Sequence, residues 1–187
     1  MKRVVVPWRT AGIAALASIA LAASTPAEAA PTPPPRPCAG PEWKQLDFWV
    51  GEWEATWPAS PGTPAGKGTN RIEKILGECV VSENFAGDGP GALVGKSYST
   101  YSPRLKEWRQ TWVDNQASYL EFTGDFSNPK ERIFAMDSIA PNGKRLKLRM
   151  VFKNITADSF DWSWERSADG GKAWNVQWPI HYTRKKP

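Results

Sequence analysis

The sequence predicts an all-β fold: a closed, up-and-down antiparallel barrel of about ten strands, entered through a short N-terminal helical turn. Three observations predict it. Beyond Gly51 no long stretch carries apolar residues at the 3.6-residue period of a surface helix. Short runs rich in aromatic and β-branched residues follow one another instead. Compact turn signals separate them, so each run returns beside the last as a hairpin, and closure of such a meander removes its exposed edges.

The strands are expected at about 51–58, 67–76, 79–86, 94–102, 106–113, 117–126, 131–139, 144–154, 159–166 and 173–184. The breaks have their own chemistry. Pro58 to Gly66 is a Pro/Gly loop, and Gly87-Asp88-Gly89-Pro90-Gly91 is a second. Pro141-Asn142-Gly143-Lys144 and Asp169-Gly170-Gly171 are tight hairpin signals. Ahead of the strands, Pro41 to Phe48 forms one helical turn.

Alternation assigns the faces. Leu146, Leu148, Met150 and Phe152 alternate with charged residues and point inward, except that Val151 breaks the polar side. Phe160, Trp162 and Trp164 oppose Ser159, Asp161, Ser163 and Glu165. Trp174, Val176, Trp178, Ile180 and Tyr182 oppose Asn175, Gln177, His181 and Thr183. Trp108, Gln110 and Trp112 share one face of their strand. Strands 94–102 and 131–139 have mixed phases and receive no orientation from the pattern.

The N-terminus reads as an export signal. Lys2, Arg3 and Arg9 precede the apolar, alanine-rich run from Ala11 to Ala23, and Ala27-Glu28-Ala29 supplies a small-residue cleavage site. The run is shorter than the roughly 20 residues of a membrane-spanning helix. The chain of 187 residues thus divides into a signal peptide at 1–29, a proline-rich spacer at 30–41 and a barrel domain at 42–187. The product is expected in the periplasm or outside the cell, with no membrane span after cleavage. Its net charge falls from +5 to +3 on removal of the leader, and its basic residues are scattered until Arg184-Lys185-Lys186. That excludes nucleic acid as the expected partner.

Export also decides the reading of the two cysteines. In an oxidising compartment Cys38 and Cys79 are expected to form a disulfide. Two cysteines and one histidine lack the number and spacing of a zinc site, so no metal and no cofactor are expected.

Gly51-Glu52-Trp53 begins the first strand after a helical turn. This resembles the entry motif of the calycin barrels, the lipocalins and their relatives. The resemblance implies that Trp53 closes one end of the barrel against a basic residue of the last strand. Arg184 is placed for that role, because first and last strands of such a barrel pair antiparallel. A longer stretch, Gln45-Leu46-Asp47-Phe48-Trp49-Val50-Gly51-Glu52-Trp53, resembles the Q-x-D-F-W-x-G-x-W opening of an uncharacterised family of secreted bacterial proteins. Gly77-Glu78-Cys79 with Glu83, the run Trp108 to Asp114, and Tyr182-Thr183-Arg184 extend the likeness. It implies a lipocalin-like barrel and brings no activity with it.

Ser167-Ala168-Asp169-Gly170-Gly171-Lys172-Ala173-Trp174 resembles an Asp-box, with Ala173 departing from the pattern, and reads as a turn. His181 is the one histidine; related barrels that bind haem use a late-strand histidine as axial ligand. Its phase opposes Trp178, Ile180 and Tyr182, which argues against that role unless Pro179 marks a bulge. Carboxylates such as Glu52, Glu54, Glu83 and Glu121 read as mostly solvated, and no catalytic residues stand out by spacing.

Eleven tryptophans in the chain, ten of them beyond the leader, ask for a function. Most fall on the inner face. The expectation is a barrel that binds a small, partly apolar molecule against Trp112, Trp162, Trp164 and Trp178, oriented by Gln110 and Tyr98. The alternatives are a filled structural barrel acting through its surface as an envelope interaction module, and an enzyme of unknown reaction.

Overall fold

The computed structural model of the chain describes residues 37–59 and 64–186. The signal-peptide reading at 1–29, and the spacer up to Arg36, lie outside the described residues.

Two 3-10 turns, Pro41–Lys44 and Asp47–Trp49, lead into the strands. Ten strands follow: β1 (Gly51–Trp57), β2 (Gly66–Ile75), β3 (Val80–Gly87), β4 (Val94–Ser102), β5 (Glu107–Asp114), β6 (Tyr119–Asp125), β7 (Arg132–Ile139), β8 (Arg145–Lys153), β9 (Ser159–Ser167) and β10 (Asn175–Arg184). Each pairs antiparallel with its neighbours in sequence, and β1 pairs with β10 to close the barrel. The turn chemistry explains the closures. Gly143 and Gly170 take the left-handed backbone conformation at the β7–β8 and β9–β10 hairpins. The Asp-box stretch is a turn: the Asp169 carboxylate accepts from the Lys172 and Ala173 amides, and the Trp174 indole donates to the Gly171 carbonyl.

Inward positions alternate as expected along most strands. The core holds Trp53, Ala55, Ile72, Phe85, Trp108, Phe122, Phe134, Phe152, Phe160 and Ile180. The last strand differs from the sequence reading. A bulge between Val176 and Trp178 inserts one residue, so Val176 pairs with Glu165 while Trp178 pairs with Trp164. The phase therefore reverses at Gln177. Val176 is exposed on the outer face, and Trp174 lies under the Arg149 guanidinium, 4.0 Å from its ring centre. Arg149 is itself paired with Glu165, so Trp174 and Val176 belong to the outer wall.

The Cys38–Cys79 disulfide is formed. It ties the segment before the first 3-10 turn to the residue before β3, and so fastens the entry segment over one end of the barrel. Gln45 helps seat that segment. Its side-chain oxygen accepts from the Trp108 indole at 2.8 Å, and its carbonyl accepts from Arg132 at 3.2 Å. Lys74 pairs with Asp47 at the second turn.

Candidate functional site

One end of the interior is closed by a stacked assembly. Arg184 lies 4.0 Å from the centre of the Trp53 ring, a favourable cation–π distance. Its three nitrogens are all used: Nε donates to Ala157 O, Nη1 to Val50 O and Nη2 to Phe48 O. The register sets Arg184 directly across from Trp53. The Trp53 indole donates to the Trp49 carbonyl at 2.8 Å, which fixes the Trp49 turn over the floor. Gly51 is required here. Its φ is +134°, and a Cβ at this position would lie 2.3 Å from Arg184 Nη1.

Above this floor the interior has two halves. Strands β2 to β5 turn small and polar groups inward. Asn70 Nδ2 donates to Glu83 Oε1 at 2.7 Å, Ser97 bonds to Glu83 Oε2 at 2.6 Å, and Gln110 donates to Ser99 at 2.9 Å. Glu83 is deeply buried, and burial pushes its carboxyl up from the ordinary range, against the hydrogen bonds from Ser97 and Asn70. Burial, helped by the nearby Glu83, also pushes the Tyr182 hydroxyl up, while Asn70 pulls the other way; the phenol stays neutral.

The remaining strands, together with Phe85 of β3 and Trp112 of β5, supply aromatic walls. Between the two halves lies a cavity of about 210 Å³. Trp112, Trp162, Trp164 and Trp178 line it together with Phe85, Phe122 and Phe152, and Trp49 reaches it from the entry segment. Trp178 meets Trp162 and Trp57 edge to face, with centroids 5.8 Å and 5.2 Å apart, so its ring is held from two sides. Glu83 faces the cavity from the polar half and Tyr182 from β10, and Asp114 with Leu93 and Leu120 lines the part furthest from the floor. Partial burial pushes Asp114 up, but hydrogen bonds from the Trp112 indole and from Ser118 and Gln116 outweigh it and hold the carboxyl below its usual range.

A family model described as a protein of unknown function, DUF1579, matches residues 39–184. The chain belongs to the DUF1579 family. The matched span begins beside Cys38 and ends on Arg184, so it takes in the entry segment, every strand and the floor contact. No curated protein matches the chain in sequence. Among solved structures it is similar to a redesigned beta barrel at 11% identity and a TM-score of 0.41, over 76% of this chain and 96% of that one.

The geometry of this DUF1579 barrel sorts the residues expected from sequence. Trp112, Trp162, Trp164 and Trp178 come together on the cavity. Gln110 points inward but lies off the cavity wall, buried against Ser99 nearer the floor. Tyr98 is on the outer face, 50% exposed, so it does not face the interior. Its strand carries Gly95, Ser97 and Ser99 inward, and Trp112 lies so close to Gly95 that an added Cβ would meet its ring at 2.1 Å. Small residues are needed there because the large ring of β5 fills that space. His181 sits on the outer face with its Nδ1 2.7 Å from Asp161, away from the cavity. The bulge falls at Gln177 rather than at Pro179, so the phase of Trp178, Ile180 and Tyr182 is kept and His181 stays outside.

Three groups on the cavity escape the sequence reading. Glu83 was expected on a solvated face; it is buried inside, because Asn70 and Ser97 satisfy both of its oxygens. Asp114 ends β5, one residue beyond the strand expected at 106–113, and it lines the cavity. Trp49 is not among the residues expected to contact a ligand, yet its ring lines the space above the floor. Glu83, Asp114 and Trp49 all lie within the stretches that carried the family resemblance, which was the one signal available for them. Among the described residues no group of acids, histidines and cysteines is arranged to hold a metal ion.

Proposed function

We propose that this protein is an exported carrier of a small, partly apolar molecule, held inside the barrel among Trp112, Trp162, Trp164 and Trp178. The observation that carries the reading is the aromatic cavity of about 210 Å³. It exceeds the roughly 150 Å³ apolar cavity known to take up benzene, so a one- or two-ring molecule fits. Mostly apolar walls with a few polar groups are the usual anatomy of a ligand pocket. A completely filled barrel would leave no such space. The Cys38–Cys79 bond supports export, because disulfides persist in oxidising compartments.

Indole N–H signals in proton–nitrogen NMR test the reading. Titration with indane, a two-ring hydrocarbon, is expected to shift the signals of Trp112, Trp162, Trp164 and Trp178. Trp174, on the outer wall, serves as the internal control. If no ring compound in the series indane, 1-indanone, 1-aminoindane and indane-1-carboxylate moves the cavity signals at millimolar concentration, the carrier reading is wrong.

A further inference from the structure

Among the described residues, two polar groups on the cavity wall have no protein partner. Trp49 and Trp178 both line the cavity, and the Nε1 of each is buried with no acceptor among the described residues. Their neighbours differ in this respect. Trp53 donates to Trp49 O, Trp108 to Gln45, Trp112 to Asp114 and Trp57 to Pro64 O. An indole nitrogen can only donate, so what these two sites lack is an acceptor. A buried donor without one is costly, and a bound molecule that supplies it recovers that cost.

Charge narrows the class further. Among the described residues no lysine, arginine or histidine lines the cavity, and Arg184 is engaged below the Trp53 ring. Asp114 stands at the far part of the wall, where hydrogen bonds favour its ionised form. An anion would meet that charge with no cation to offset it. The acidic group deeper inside, Glu83, already has both oxygens engaged by Asn70 and Ser97. Asp114 is engaged in the same way, by the Trp112 indole and the Gln116 and Ser118 amides, so an organic cation would have to compete with the existing bonds of either acid.

Resting on the carrier reading, we propose that the ligand is an uncharged ring compound bearing at least one hydrogen-bond acceptor, such as a carbonyl oxygen, which accepts from the indole N–H of Trp49 or Trp178. The ring fills the aromatic space and the acceptor sets its orientation. The ligand class is therefore cyclic ketones, lactones and similar neutral carbonyl compounds, rather than fatty acids or amines.

Four probes of one shape separate the possibilities: indane, 1-indanone, 1-aminoindane as its cation and indane-1-carboxylate. Calorimetry at pH 7 is expected to rank 1-indanone first, about 2- to 10-fold tighter than indane, which is what one added hydrogen bond supplies. Both ions are expected to bind more weakly than indane. The Nε1–H signal of Trp49 or Trp178 should move downfield with 1-indanone and not with indane. Trp178→Phe and Trp49→Phe, each checked for an unchanged melting transition, should show which residue supplies the bond by abolishing the preference for the ketone over the hydrocarbon. Equal binding of indane and 1-indanone would overturn the ligand class while leaving the carrier reading intact. Tightest binding of either ion would overturn it as well. Failure of all four probes removes the carrier reading itself.

Discussion

Arg184 lies with its guanidinium 4.0 Å from the centre of the Trp53 ring, and the two residues face each other across the β1–β10 seam. The contact therefore joins the first strand to the last. It also ties in the entry segment, because the same guanidinium donates to the carbonyls of Phe48 and Val50. The stretch Phe48 to Trp53 is thus a closure for one end of the barrel, and its Trp49 ring forms part of the cavity wall above.

Trp53→Ala is expected to lower stability by about 3–5 kcal/mol, the range for truncating a core tryptophan. Trp53 is fully buried and packs edge to face on Phe160 at 4.8 Å, so its loss leaves a hole and frees Arg184. Urea denaturation measures this. A loss below about 0.5 kcal/mol, as at a surface site, would mean the floor does not hold the barrel shut.

Gly51→Ala is expected to cost at least about 1–3 kcal/mol, because alanine is strained at a φ of +134°. The added Cβ would also displace Arg184 from its place beside Val50 O. The tryptophan ring signals of Trp53 should shift with it. A variant as stable as the parent, with Trp53 unmoved, would contradict the role given to this glycine.

Glu83 makes stability depend on pH in a defined direction. Its carboxyl is raised in the folded state, chiefly by burial. Below its unfolded value, about 4.3, both states hold the proton and the group contributes nothing. Above it the unfolded chain releases the proton while the folded chain keeps it, so stability falls as pH rises towards the folded value. Glu83→Gln removes this effect and can still bond to Asn70 and Ser97. The variant should gain on the parent as pH increases from about 4 to 7. Parallel pH profiles for the two would show that Glu83 ionises freely inside the barrel.

Replacing Cys38 and Cys79 together by serine is expected to lower stability by about 4 kcal/mol in the chain-entropy model, for a closed loop spanning a sequence separation of 41. The indole signals of the cavity should change little, since the bond lies outside the barrel wall. Thermal unfolding with and without reductant gives the same comparison. An unchanged midpoint would show that the entry segment is held by Gln45, Asp47 and Trp49 alone.

Strand order and closure were legible because the turns are written in Pro, Asn, Asp and Gly, and because β8 and β9 alternate plainly between Met150-type and Arg149-type positions. The site was only partly legible, for three physical reasons. The bulge at Gln177 adds a residue without any turn chemistry, so Trp174 and Val176 read as inward when they lie outside. On β4 the inward residues are small, since Trp112 occupies the space beside Gly95, and the larger Tyr98 on the outer face misleads a pattern based on size and apolarity. Glu83 is an acid inside an aromatic barrel, which pattern alone assigns to solvent. Only the positions of Asn70 and Ser97 on the neighbouring strands explain its burial.

The central claim is that the aromatic cavity carries a small molecule, and native mass spectrometry of the protein purified from its own host tests it most directly. The expected result is the mass of the disulfide-bonded chain plus a small, uncharged adduct that is released on denaturation. The bare chain alone in every preparation would contradict it.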